Sequence, residues 1–111
     1  MVIDKIYRAD KYYEGIIQIR PDDKEVLEYV RKKVKEKGAE ISREVFFKYG
    51  IDVYVTSQKI TRNIGEKLKK AFKGELKISK KIFTRSRQTS RDLYRATVLF
   101  RRIKEEPEED S

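Results

Sequence analysis

The sequence predicts an α+β fold in which two helices pack on a mainly antiparallel sheet of about five strands, in the order β-α-β-β-α-β-β. Three observations carry this. Two stretches, 22–38 and 58–73, repeat apolar residues at helical spacing, and five others alternate apolar and polar residues with a period of two. Both helical stripes must be buried, and one face of the sheet is the simplest place for them. A ferredoxin-like arrangement or a related one fits, with the last hairpin as an extension. The 111 residues are enough for one domain, placed at 1–104, with an acidic tail at 105–111.

The first strand is "YYEGIIQIR", 12–20. Tyr13, Gly15, Ile17 and Ile19 share one face; Glu14, Ile16, Gln18 and Arg20 share the other, and Pro21 ends the ladder. In helix 22–38, Asp22 or Asp23 is the N-cap and Val26, Leu27, Val30 and Val34 form the stripe. Acids lead it, lysines end it, and Gly38 supplies the left-handed residue beyond it. Strands 40–50 and 51–57 meet at a turn around Tyr49-Gly50. Val45, Phe47 and Tyr49 alternate in one, and Ile51, Val53 and Val55 in the other. Ser57 caps helix 58–73, Gly74 closes it, and Ile60, Ile64, Leu68, Ala71 and Phe72 are its buried stripe. Two strands follow, about 75–84 and 93–103, with Tyr94, Ala96, Val98 and Phe100 on one face of the second. The tail "KEEPEEDS" has no apolar content and is expected to be disordered.

Composition removes several chemistries. With no cysteine and no histidine there is no disulfide framework, no thiolate or imidazole zinc site and no imidazole acid–base catalysis. The five glycines are scattered singly, so there is no glycine-rich phosphate loop. Apolar runs are far shorter than a membrane span and no leader is visible, so a soluble, monomeric, cytoplasmic protein without cofactors is expected. The 42% of charged residues, with few amides, matches a heat-adapted prokaryote. Glu44 and Asp52 are the carboxylates placed to approach across a strand pair and hold magnesium for a nuclease. Two outward-facing strand residues beside lysines is the plainer reading.

Charge points elsewhere. Residues 1–58 carry a net +1 and residues 59–102 a net +12, within an overall +9. A half that basic attracts a polyanion. The candidate phosphate contacts are Lys59, Arg62, Lys69, Lys70 and Lys73 on the outer face of the second helix, then Lys77 and Lys81 on one side of the next strand, with Lys80 on the other. Arg85, Arg87 and Arg91 lie in the hairpin connection "FTRSRQTSRDLYR", followed by Arg95. Guanidinium forks grip phosphate oxygens in pairs, and this basic connection is longer than closure needs. Strand lysines also serve to guard an exposed edge. Tyr12, Tyr54 and Phe46 fall opposite the expected core, where they either stack on unpaired bases or, the plainer reading, pack.

Three stretches, "YYEGIIQIR" (12–20), "DVYVTSQK" (52–59) and "SRQTSRDLYRATVLFR" (86–101), occur in an order and spacing that covers most of 12–101. Together they resemble the central part of the archaeal relatives of the large-ribosomal-subunit nuclear export adaptor, the family named for nonsense-mediated decay factor three. The resemblance implies a non-enzymatic ribosome-binding factor with ribosomal RNA and the large subunit as partners and ribosomal proteins as further contacts. For an archaeal relative only subunit binding or maturation carries over. Family members begin with paired Cys-x-x-Cys zinc motifs; this sequence has no cysteine, so zinc does not carry over. The expected function is RNA binding through a basic helix face and an arginine-rich hairpin. The alternative is a protein-interaction module that binds an acidic partner.

Overall fold

The computed structural model describes residues 2–85 and 92–103. The elements run β1 (Ile3–Ile6), β2 (Gly15–Arg20), α1 (Lys24–Glu36), β3 (Ile41–Phe47), β4 (Gly50–Val55), α2 (Gln58–Ala71), β5 (Gly74–Arg85) and β6 (Asp92–Arg102). The strands form one sheet in the order β1-β3-β4-β2-β6-β5.

Two expectations about the sheet are corrected. It has six strands among the described residues, because Ile3–Ile6 pairs with β3; this strand is short and exposed and gives no burial alternation. It is also mixed, with one parallel pairing among otherwise antiparallel ones, and the parallel strand beside β2 is β6 and not the one that follows α2. β2 pairs antiparallel with β4 but parallel with β6. β5 runs along the edge and β6 returns inside it, taking the place beside β2. The reason is apolar content: Ala96, Val98 and Phe100 of β6 are fully buried, whereas Lys77–Lys81 of β5 is exposed. An inner strand must offer a continuous apolar face, and an edge strand need not.

Both helices lie on one face. The core joins Val26, Leu27, Val30 and Val34 of α1 and Ile64 and Leu68 of α2 to Ile17, Ile19, Ile51, Val53, Val55, Val98 and Phe100 of the sheet. Each such side chain contributes about 1.5–3 kcal/mol on burial. Asp23 is the cap of α1; its carboxylate accepts from the N–H groups of Glu25 and Val26 at 2.9 and 3.2 Å. Gly38 is left-handed at φ +80. Ser57 caps α2, accepting from the Ile60 N–H at 3.3 Å.

The α2 stripe differs from expectation. Thr61 and Gly65 are buried while Ala71 is exposed, and Gly74 begins β5 instead of closing the helix. Small residues let α2 lie close to the sheet: a Cβ on Gly15 would fall 2.0 Å from Thr61 Oγ1, and one on Gly65 2.9 Å from Val98. In β3 a bulge between Ile41 and Arg43 shifts the alternation by one. Phe46 therefore packs on the core and Phe47 faces away, the reverse of the expected assignment.

Candidate nucleic-acid interface

In the first half of the chain arginines and lysines fare differently: of its lysines, Lys33 alone forms an ion pair among the described residues. Before residue 59 the arginines are neutralised within the fold. Arg8 pairs with Asp10 and Glu40, Arg20 with Asp52, Arg31 with Glu28 and Glu44, and Arg43 with Asp4. Beyond it, Arg102 is held by Asp23 and Glu25. Lys59, Arg62, Lys69, Lys70, Lys77 and Lys81 form no ion pair among the described residues, and all but the half-buried Arg62 are exposed. Their field is therefore directed outward.

These side chains fall on two surfaces. Lys59, Arg62, Lys69 and Lys70 ride on α2, whose opposite side is in the core; Lys73, also exposed, follows the helix. Arg62 Nε donates to Gln58 Oε1 at 3.0 Å, one turn back. Lys59 and Arg62 line a depression of about 580 Å³ with Asn63, Glu66 and Lys37 from the end of α1. Nothing in the sequence singles out Lys37, because the helix dipole explains a C-terminal lysine without any partner.

Lys77 and Lys81 lie on the other side of the sheet, away from the helices. Leu76 packs on the core, so alternation turns its neighbour Lys77 outward, and Lys77 and Lys81 pair in register with Leu99 and Arg95. Lys80 is on the helix side, its Nζ 4.5 Å from the Tyr94 ring centroid. Arg85 is the last residue of β5. Arg87, Arg91 and the acidic tail lie outside the described residues.

The helix-free face carries guanidinium–ring stacks that sequence reading did not identify. Arg95 lies over the Tyr13 ring at 4.1 Å, Tyr13 meets Tyr54 edge to face at 4.9 Å, and Arg43 lies over Tyr54 at 4.9 Å. Arg20 sits 5.8 Å from both Phe47 and Tyr49. The expectation that Tyr54 faces away from the core is met; burial, ahead of its charged neighbours, pushes its phenol up. Tyr13 leaves the face it was expected to share with Ile17, because the chain bends at Glu14 before β2 begins. Glu14 reaches the start of α2, accepting from the Gln58 N–H at 3.2 Å and from the Tyr12 hydroxyl. The Tyr-Tyr-Glu segment thus clamps β2, α2 and β6 together.

The carboxylate pair is corrected. Glu44 is opposite Val53 in register and Asp52 opposite Val45, so the two side chains point to opposite faces of the sheet. Each is buried against an arginine, Glu44 on Arg31 and Asp52 on Arg20. Among the described residues no three potential metal ligands come together. None of the described helices is long and apolar enough to cross a membrane.

Residues 12–101 match the sequence model of a family described as NMD3, second domain. No curated protein matches the chain.

Proposed function

Because the chain belongs to the NMD3 family, we propose that it is a non-enzymatic RNA-binding domain of a factor acting on the large ribosomal subunit. It holds ribosomal RNA phosphates through the outer face of α2, Lys77 and Lys81 of β5, and the arginines of the β5–β6 hairpin, Arg85, Arg87 and Arg91. One observation supports this above the others: residues 59–102 carry a net +12, and the lysines of α2 and β5 have no carboxylate partner among the described residues. A cation already paired gains little from a phosphate, whereas an unpaired one displaces counterions from the nucleic acid.

Titration of ribosomal RNA, and separately of large subunits, at about 50 and about 200 mM salt tests the reading. Six or more phosphate contacts lower the affinity by about a thousandfold across that range. Equal affinity at both salt concentrations overturns it.

A further inference from the structure

The helix-free face of the sheet holds a hollow that the phosphate contacts on α2 do not explain. Its volume is about 390 Å³, and it is lined by Tyr13, Ile16, Ser79, Lys81, Arg95 and Thr97. That volume falls in the range of about 300–1,000 Å³ occupied by small-molecule and cofactor sites. Register explains its construction. Ile16, Thr97 and Ser79 form one row across β2, β6 and β5. Arg95 and Lys81 form the next row along. Tyr13 borders the same hollow, held by the Arg95 guanidinium 4.1 Å from its ring centroid and by the Arg95 Nε, which donates to the Tyr13 carbonyl at 3.3 Å.

The geometry points to a site for one unpaired nucleotide of single-stranded RNA. The Arg95 guanidinium, lying over the Tyr13 ring, and Ile16 supply a planar platform and an apolar floor for the flat face of a base. Ser79 and Thr97 supply hydroxyls that donate to or accept from base edges or the ribose. Lys81 is exposed and has no carboxylate partner among the described residues, so it meets the phosphate. A base within a duplex has both faces covered by its neighbours, so this combination selects an unstacked base. Charge selects nucleic acid over an acidic peptide: the lining has two cations and no carboxylate, beside a ring and hydroxyls that a carboxylate-rich chain would leave unused.

The inference rests on the RNA-binding reading, and its test separates the two. The full chain is titrated by fluorescence anisotropy with a labelled RNA of about ten nucleotides, within the usual site sizes, and with the same sequence as a duplex. The single strand is expected to bind at least about tenfold tighter. Tyr13→Leu, checked for folding by its melting curve, is expected to lower single-strand affinity by about tenfold, the weight of one stacked base, and to leave the duplex unchanged. Lys81→Gln, at an exposed position, lowers single-strand affinity severalfold and decides the matter if Tyr13→Leu does not fold. Salt-dependent binding that ignores strandedness and both substitutions overturns the hollow and leaves the proposed function standing. No binding of either RNA overturns both. Photo-crosslinks on intact large subunits are expected from Tyr13 to a nucleotide; crosslinks to a ribosomal protein instead overturn the nucleotide site.

Discussion

Arg31 holds Glu44 with two hydrogen bonds, Nε to Oε2 at 2.8 Å and Nη2 to Oε1 at 2.6 Å, while the Tyr7 hydroxyl donates to Oε1 at 2.9 Å. Glu44 is fully buried between β1, β4 and α1, and Arg31 reaches it from the helix. Hydrogen bonding to Glu44 raises the pKa of Arg31 further, so the guanidinium stays charged. Removing the cation leaves a buried carboxylate without its partner. Arg31→Met is expected to cost about 3–5 kcal/mol, measured as the shift in urea midpoint. Glu44→Gln keeps the shape and an acceptor, strands no buried charge, and is expected to cost less.

A second carboxylate ties the start of α1 to the end of β6. Asp23 caps the helix and accepts from Arg102 Nη1 at 2.9 Å. Burial pushes its carboxyl up, but the Arg102 hydrogen bond and the amides of Val26 and Glu25 together hold it below the ordinary 3.8. A depressed folded pKa gives stability that is present above the unfolded value and lost as pH falls through the folded one. Asp23→Ala is therefore expected to destabilise by about 1–2 kcal/mol at neutral pH, and the gap from the unmodified chain narrows below pH 3.8. Asp23→Ser keeps the cap, loses the ion pair and falls between them. Denaturation midpoints over an acid pH series check all three.

The opposite sign applies at Tyr12. Burial first, then its hydrogen bond to Glu14, pushes the phenol up to about 12. Its contribution is present below the ordinary value of 10.0 and lost as pH rises toward about 12. An alkaline absorbance titration is expected to show late-ionising tyrosines, Tyr7 and Tyr54 among them, and with them the Tyr12 step. Glu14→Gln moves that step back toward 10.0, and it also weakens the clamp on the Gln58 N–H.

The helices were legible because capping and periodicity are local. Asp23, Ser57 and the stripe from Val26 to Val34 act within a turn or two of chain, and the structure keeps them. The sheet was less legible, because register depends on partners distant in sequence. The bulge after Ile41 exchanged the roles of Phe46 and Phe47, and no residue type there announces a bulge. β6 enters the sheet beside β2 in parallel, a choice made by comparing the burial of two strands rather than by either strand's pattern. For the candidate interface, the lopsided charge was plain from the sequence. Its division between the α2 surface and the helix-free face was not, since it follows from which strand residues oppose the helices. Tyr13 and Arg95 meet only because β2 and β6 are neighbours.

Gly15 is a position where that close packing can be tested. An added Cβ would overlap the Thr61 side chain, with Oγ1 at 2.0 Å and Cγ2 at 2.7 Å. Thr61 cannot easily turn away, because its hydroxyl donates to the Ser57 carbonyl at 2.7 Å and the residue is fully buried. Gly15→Ala is expected to cost about 1–3 kcal/mol through overpacking. In the Thr61→Gly background, itself weakened by about 1 kcal/mol of helix propensity, the same substitution is expected to cost much less. A double-mutant cycle by thermal or urea denaturation reads the coupling directly.

The α2 surface yields a prediction of a different kind, because the number of phosphates neutralised is read from the salt dependence of binding. Lys59 borders the depression that includes Lys37, whereas Lys69 and Lys70 stand near the far end of the helix. All four are exposed, so glutamine at any of them leaves the core intact. If RNA runs the length of α2, Lys37→Gln with Lys59→Gln and Lys69→Gln with Lys70→Gln each flatten the plot of log affinity against log salt. The slope is expected to change by about 0.7–0.9 for every phosphate that is no longer neutralised. If RNA occupies the depression alone, the first pair flattens the slope and the second does not. Neither pair is expected to alter the preference between RNA sequences, since phosphate contacts position a nucleic acid without reading it. Binding isotherms at several salt concentrations for the two double variants, against the unmodified chain, measure both effects.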